Sequence, residues 1–498
     1  MKTTRMLFST LAVAFAAAVP TNAAKTLELW IMPNGANPQA LVNERLQAFT
    51  KETGIAAKVV VLDWGEAWSR IDKGLETGKG PDVVQLGTTW VSYFASKGRL
   101  TSLESHLPEI KPERFLATSL KTTKIDGNDT VWGVPWFVDV RVLMANKKLL
   151  DSLKIGAKDI GNWSSFRQAL RKIRDAGLMK DASTKVYPYG FPGKSDWNIP
   201  HNFAPWVWSE GGDFVTKSGE GKWRSGLLEK ATVIGIRKYL SFVQDSLVSP
   251  KALSQNTSQV TQSFNAGEQA VILGTSEIVM QTRISSDSGG LRSSPIGQSG
   301  LFAFPVPAGA AGSVAFVGGS DLCLPKAKAN DADALKLLLF LTRPENLDIY
   351  TKKIGFLPPD KSVLQEWAKD SVYKVMVDAA EKGKAYPGIP QWGSIEAMLS
   401  EMFGNIWTML GEGGYYSDEE LYKTLSTYDV RIDSLLGTKS SPMPIDSFKA
   451  VLAGVKETSI ESGSASASDK QVPWIPIAVG AVVVLGGIGF ALSRKKSA

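Results

Sequence analysis

The stretch VWGVPWFVDVRVLMANKKLL, Val131–Leu150, gives the clearest indication of both fold and site. Its middle alternates as a strand does, so its valines are predicted to share one face while Asp139 and Arg141 lie on the other. An acid and a guanidinium on an apolar strand, close to two tryptophans, suit a polar ligand held beside aromatic rings. The pattern equally fits a strand with one wet face and an incidental ion pair, so the rest of the chain decides between the two.

The segment before this stretch has the pattern of a doubly wound α/β fold. Strands are predicted at Thr26–Met32, Ala57–Leu62 and within Gly78–Gly87, with helices at Asn37–Thr53 and Ala67–Glu76 between them. Alternating strands and helices of this kind form a mainly parallel sheet. In such sheets the loops at the carboxyl ends of the strands meet at a ligand crevice.

Composition narrows the function. The 498 residues can form two domains, and 43% hydrophobic and 21% charged residues are typical of a globular chain. A net charge of +7 without blocks of basic residues argues against nucleic-acid binding. One cysteine and two histidines argue against a metal site built from these residues, although an all-oxygen site stays open, and no cofactor is expected. Fifteen tryptophans favour aromatic walls for a sugar-like ligand.

Both ends of the chain are predicted to determine its location. Residues 1–24 have the pattern of a secretory signal peptide. Residues 441–471 are predicted to be a tether, 472–492 a transmembrane helix, and 493–498 a basic cytoplasmic tail. The body would then lie on the outer face of the cytoplasmic membrane, on the periplasmic or extracellular side. A sorting signal that is cut after export is the open alternative for the C-terminal segment.

Six segments in order resemble family 1 extracellular solute-binding proteins of ABC transporters, the carbohydrate type similar to maltose-binding protein. The resemblance extends from Lys25 to about Gly437. The segments are GKGPDVVQLGTTWVSYFASKGRLTSLE (78–104), WGVPWFVDVRVLMANKKLL (132–150), NWSSFRQALRKI (162–173), SFNAGEQAVILGTSE (263–277), FAFPVPAG (302–309) and GGSDLCLPKAKANDADALKLLLFLT (318–342).

The resemblance implies a two-lobed α/β fold of the periplasmic-binding-protein type. The expected first lobe is 25–136 with about 303–330, and the second is about 137–302 with 331–440. It also implies a non-enzymatic monomer that captures a mono- or oligosaccharide in a cleft between the lobes and delivers it to an ABC permease.

The resemblance also places ligand contacts on individual residues. Thr89 stands where the family often has an acid, and Ser276 falls in a turn where the family has an aromatic residue; both departures leave the ligand's identity open. The implied contacts are Asn34, Thr89, Trp90, Asp139, Arg141, Ser276, Glu277 and Trp392.

Further tryptophans are expected in the cleft because indole faces stack on sugar rings. Core packing is the alternative for each of them. These candidates are Trp64, Trp136, Trp197 and Trp206.

Other function classes fit parts of the pattern. An exported glycoside hydrolase would also combine carboxylates with tryptophans, although no two acids lie in evident partner motifs. A ligand-sensing receptor subunit would use the same fold. A binding protein for a polyamine, a metal or an oxyanion is the third alternative; few histidines and many tryptophans argue against metal and oxyanion.

Overall fold

The computed structural model of the protein describes residues 26–458 except 36, 194, 195, 197, 219, 220, 330, 414 and 415. Several predictions therefore lie outside the described residues. These are the signal peptide, the ligand contact at Trp197, the end of the tether, the segment 472–492 and the tail 493–498.

Ten strands form within the described residues. Eight of them make one mixed sheet in the order β2-β1-β3-β10-β4-β8-β5, with β9 also paired to β4, while β6 and β7 pair separately. The strands are β1 Leu27–Ile31, β2 Ala57–Val61, β3 Val83–Gly87, β4 Val134–Asn146, β5 Tyr187–Gly190, β6 Val215–Lys217, β7 Trp223–Ser225, β8 Gln269–Gly274, β9 Leu301–Phe304 and β10 Phe316–Cys323.

Nineteen α-helices form within the same residues. Many begin at a side-chain cap that satisfies free backbone N–H groups, as Asp63 does for α2 and Asn162 for α7. The helices are α1 Pro38–Thr53, α2 Trp64–Thr77, α3 Val91–Ser96, α4 Leu107–Ile110, α5 Ala117–Thr122, α6 Lys147–Ser152, α7 Trp163–Asp175, α8 Ile199–Ser209, α9 Lys230–Gln244, α10 Thr257–Asn265, α11 Ser276–Gln281, α12 Pro295–Ser299, α13 Ala332–Leu341, α14 Pro344–Ile354, α15 Lys361–Trp367, α16 Ser371–Lys382, α17 Trp392–Gly413, α18 Asp418–Leu436 and α19 Ile445–Thr458.

The long strand β4 runs through both lobes. Its first part pairs antiparallel with β10, which places Arg141 opposite Phe316, and its second part pairs antiparallel with β8 and β9. A further crossing segment exchanges two backbone hydrogen bonds between Leu357 and Val138, with N–O distances of 2.8 and 3.1 Å. The lobes are therefore joined through hydrogen-bonded backbone.

The first lobe buries both faces of its part of the sheet. On β1, Leu29 and Ile31 enter a core covered by α1, α13 and α14. Trp30 and Met32 point to the opposite face, where α2 and α3 cover a second core. This two-sided coverage is what a doubly wound sheet requires.

The second lobe is built the same way around the other end of β4. Leu143 and Ala145 enter a large core shared with α7, α8, α9, α17, α18 and α19. Val142 and Met144 enter the core beneath α10, α11, α12, α15 and α16. The two-lobed α/β fold predicted from the sequence is confirmed.

The position of α13 and α14 bears on the predicted lobe boundaries, which put 331–440 in the second lobe. Leu337 of α13 and Tyr350 of α14 are buried in the first-lobe core beneath β1. These two helices lie beside α1 and cover the same face of the sheet. Residues 332–354 thus pack with the first lobe. Residues 445–458, which were predicted as part of the tether 441–471, form α19 and pack in the second-lobe core through Phe448 and Leu452. The other boundaries stay a prediction.

The membrane part of the fold prediction requires correction. Among the described residues, none of the helices combines the length and the apolar character needed to cross a bilayer. The longest of them, α17, contains Glu396 and Glu401 and packs into the second-lobe core. The structure thus supports the two-lobed α/β part of the predicted fold class and gives no support to the transmembrane helix; Val472–Leu492 itself lies outside the described residues.

An acid is buried in the strand that pairs with β4. The register of β10 shifts between Ser320 and Asp321, and the Asp321 side chain, which is buried, accepts a hydrogen bond from Thr122 at 3.1 Å. Burial raises the pKa of Asp321 to about 8, and the bond from Thr122 only partly opposes this.

Asp321→Asn is expected to stabilise the protein more at alkaline than at mildly acidic pH. Between the ordinary pKa of 3.8 and the folded-state pKa of about 8, the folded protein binds a proton that the unfolded chain releases. The free energy of unfolding therefore falls by up to about 1.4 kcal/mol per pH unit in that window, and the amide removes this decline. Thermal unfolding across this pH range measures it, with Asp378→Asn on the surface of α16 as control. Parallel pH profiles for wild type and Asp321→Asn would contradict the prediction.

Candidate functional site

A group of tryptophans lies at one edge of the first lobe. Trp64 begins α2 just after β2, and Trp90 follows β3, so both lie where the carboxyl ends of parallel strands meet. Their ring centroids are 5.7 Å apart, and Trp68 lies 5.2 Å from Trp90. Trp64 has 36% of its surface exposed, so part of this aromatic edge is accessible to solvent.

Trp68 of this edge also contacts the second lobe. A Cβ on Gly393, near the start of α17, would be 3.4 Å from its ring. The first-lobe aromatic edge thus lies against the amino-terminal end of α17.

Asn34 follows β1 and is nearly fully buried. Its Nδ2 donates to Gln85 Oε1 and to the Tyr350 hydroxyl, each at 3.1 Å, and Gln85 in turn donates to Ser320 at 2.8 Å. The structure therefore uses the Asn34 amide within a network that joins β1, β3 and β10.

Asp139 and Arg141 lie where β4 passes between the lobes. Arg141 Nη2 donates to Asp139 Oδ2 at 3.0 Å and to Asn198 Oδ1 at 2.6 Å, and its guanidinium lies 5.2 Å from the centre of the Phe316 ring. Within the described residues, Asp139 Oδ1 and Arg141 Nε are buried and have no hydrogen-bond partner. Buried polar atoms are nearly always paired, so both atoms are candidates for ligand contact.

A cavity of about 500 Å³ opens beside this pair, and we call it the hinge cavity. Its walls come from β4, the segment after β5, α10, the end of β8, α11 and the crossing segment at Phe356. The lining residues are Asp139, Arg141, Pro192, Asn198, Asn202, Thr257, Ser258, Val260, Thr261, Gln262, Asn265, Ile272, Leu273, Gly274, Thr275, Glu277, Ile278, Gln281, Leu291 and Phe356.

Glu277 enters this cavity from the first turn of α11. Burial, and then the charge of Asp139, raise the pKa of its carboxyl. The neighbouring Ser276 is fully buried, and its hydroxyl has no partner within the described part of the chain. The structure therefore brings Asp139, Arg141 and Glu277 into one wall, while Ser276 lies behind it.

Three of the predicted tryptophans lie in hydrophobic cores. Trp136 stacks on Tyr350 in the first lobe with ring centroids 4.4 Å apart. Trp206 contacts Trp163 at 5.6 Å, and Trp392 stacks on Tyr386 at 4.3 Å, both in the second-lobe core. None of these rings is among the described residues that line the hinge cavity, nor are Trp64 and Trp90.

A polar cluster between the lobes was not anticipated from the sequence. His201 Nε2 of α8 lies 3.3 Å from the carboxylate of Glu396 of α17, and the Thr89 hydroxyl of the first lobe lies near the same carboxylate. Burial raises the pKa of Glu396 to about 7, which Thr89 and Arg141 only partly oppose. Burial, and then the charge of Arg141, lower the pKa of His201 well below its ordinary value. The available indication was that Glu396 lies one helical turn after Trp392, and therefore on the same face of the helix.

The described residues contain no group of three His, Cys, Asp or Glu side chains that could hold a metal ion. The polar groups of the hinge cavity are carboxylates, amides, hydroxyls and one guanidinium. This set suits hydrogen bonding to a polar organic solute.

Comparison with known proteins identifies the family. Residues 31–348 match the model of the bacterial extracellular solute-binding proteins. This chain belongs to that family. It is therefore an extracellular solute-binding protein and not an enzyme, so the glycoside hydrolase alternative is set aside, and family membership implies export.

Individual relatives agree with this assignment. A binding protein of Brucella abortus is 26% identical over 376 residues, covering 74% of this chain and 84% of that protein. The diacetylchitobiose-binding protein of Streptomyces coelicolor is 26% identical over 381 residues, covering 75% and 82%. The structure of the sugar-binding protein MalE from Xanthomonas citri superposes with a TM-score of 0.67 at 21% identity, covering 83% of this chain and 98% of that one.

Trp392→Ala is expected to lower the free energy of unfolding by about 3–5 kcal/mol, because it removes a fully buried ring that stacks on Tyr386. Trp64→Ala, at the exposed edge, is the matched control and should cost clearly less. Urea unfolding of both variants measures the difference. Equal losses would place Trp392 outside the core.

Proposed function

We propose that this chain binds a carbohydrate between its lobes, in the hinge cavity beside Asp139 and Arg141, and delivers it to an ABC permease. The most direct support is the position of two buried atoms that have no hydrogen-bond partner among the described residues. These atoms are Asp139 Oδ1 and Arg141 Nε, and their residues line a cavity of about 500 Å³. Sugar hydroxyls both donate and accept, so one sugar can satisfy both atoms. Phe356 supplies an apolar ring in the same wall.

The relatives support a sugar as the ligand class. The Streptomyces coelicolor protein is named for diacetylchitobiose binding, and the Xanthomonas citri protein is a sugar-binding protein. Both extend over most of this chain.

Contacts between the lobes provide a means of coupling ligand capture to closure. Ser92 Oγ donates to the Ile389 carbonyl at 3.0 Å, the Asp126 N–H donates to the Gly388 carbonyl at 2.8 Å, and Asp126 also pairs with Lys217 at 2.6 Å. A ligand that contacts both lobes favours the state in which these bonds form. The closed form is then what the permease would recognise, and one chain, acting as a monomer, supplies the whole site.

A thermal-shift screen with mono- and oligosaccharides tests the proposed function. A saccharide that binds the folded state raises the melting temperature in proportion to its saturation. We expect at least one saccharide to do so. A panel without any shift, alongside a shift with a polyamine or an oxyanion, would overturn the carbohydrate assignment.

Asp139→Asn is expected to weaken binding of that saccharide by about tenfold or more, because it replaces a charged acceptor with a neutral amide of the same shape. Isothermal titration calorimetry measures the loss. Asp378→Asn, an exposed acid on α16 that pairs with Lys374, removes the same charge far from the cavity and should leave affinity unchanged. Wild-type affinity in Asp139→Asn would move the site away from β4.

A further inference from the structure

The hinge cavity has an uneven charge distribution. Of the described residues that line it, Asp139 and Glu277 are acids and Arg141 is the one base. The remaining polar residues in the wall are amides and hydroxyls, which carry no charge. A ligand in this cavity therefore meets more negative than positive charge.

The positive charge of Arg141 already forms an ion pair within the protein. Arg141 is 94% buried, since its exposed fraction is 6%, and it pairs with Asp139 Oδ2 at 3.0 Å while donating to Asn198 at 2.6 Å. Within the described residues Glu277 has neither an ion-pair partner nor a hydrogen-bond donor. Glu277 is half-buried, and both its partial removal from water and the charge of Asp139 raise the pKa of its carboxyl.

Unpaired atoms in the same wall show which groups a ligand has to supply. Asp139 Oδ1 and Asn265 Oδ1 are buried acceptors, and within the described residues neither has a donor. Arg141 Nε is a buried donor that likewise has no acceptor there. A ligand in this cavity would therefore have to supply hydrogen-bond donors to these oxygens and a hydrogen-bond acceptor to Arg141 Nε.

We propose that the natural ligand is an amino sugar, whose protonated amine lies between Asp139 and Glu277 and whose hydroxyl or ring oxygen accepts from Arg141. The inference rests on the proposed function and assigns its substrate class. An ammonium supplies three donors and one positive charge, which matches the acceptors and the uncompensated carboxylate of this wall.

Two other ligand types match the wall less well. A neutral sugar supplies hydroxyl donors but leaves the Glu277 carboxylate without a countercharge. A polyamine supplies the charge but has no oxygen acceptor for Arg141 Nε. A ligand with both an ammonium and oxygen acceptors pairs the unsatisfied atoms and also supplies the countercharge to Glu277.

Three disaccharides that differ only at carbon 2 test the inference. Chitobiose has ammonium groups there, diacetylchitobiose has acetamido groups, and cellobiose has hydroxyls. Calorimetry on the wild-type protein should give an affinity for chitobiose at least about tenfold higher than for either other sugar, because a charge-assisted hydrogen bond replaces a neutral one. Putrescine, titrated in parallel, reports binding of an ammonium without a sugar.

Variants of Glu277 connect the preference to this carboxylate. Glu277→Gln should reduce the ratio of chitobiose to cellobiose affinity by about tenfold, whereas Glu277→Asp, which keeps the charge, should retain a preference for chitobiose. Glu366→Gln, an exposed acid of α15, is the matched control and should keep the wild-type ratio. Melting temperatures verify that each variant is folded.

Several results would overturn the inference. They are a chitobiose affinity no higher than that of cellobiose, an unchanged ratio in Glu277→Gln, tighter binding of putrescine than of chitobiose, or no binding of the three disaccharides. The proposed function has its own criterion, since the carbohydrate assignment fails only when the whole saccharide panel gives no shift while a polyamine or an oxyanion gives one.

Discussion

The antiparallel pairing of β4 with β10 is the constraint on which both lobes and the site depend. Backbone hydrogen bonds fix the register, so Asp139 lies opposite Gly318 and Arg141 opposite Phe316. A Cβ on Gly318 would be 2.8 Å from the Phe316 ring, so glycine lets that ring lie along the strand beneath the guanidinium. The charged pair is thus positioned by main chain and by a ring rather than by a mobile loop.

Local patterns in the sequence predicted much of this arrangement. The alternation within Val131–Leu150 assigns Val138, Val140 and Val142 to one face, and all three are buried in the same core. Asp139 and Arg141 point the other way, as a period of two requires. The early strands and helices were predicted for the same reason, because their periodicity is a property of neighbouring residues.

The locations of the aromatic residues could not be predicted in this way. A count of tryptophans shows how many rings the chain has, whereas their position depends on packing between distant segments. Trp206 and Trp392 fill the second-lobe core, while Trp64 and Trp90 form an edge. Glu396 was missed for a related reason, since its contact with Thr89 arises only when α17 meets the loop after β3.

The register shift between β4 and β10 gives the two hinge strands unequal numbers of residues. A bulge bends and twists the strand that contains it, whereas its partner continues without interruption. Ser320 lies opposite Phe137 and Asp321 opposite Pro135, so β4 holds one residue more than β10 here and Trp136 is the bulged residue. A hinge motion that straightened this bend in β4 would have to move the Trp136 ring against Tyr350 in the first-lobe core, which ties the angle between the lobes to side-chain packing.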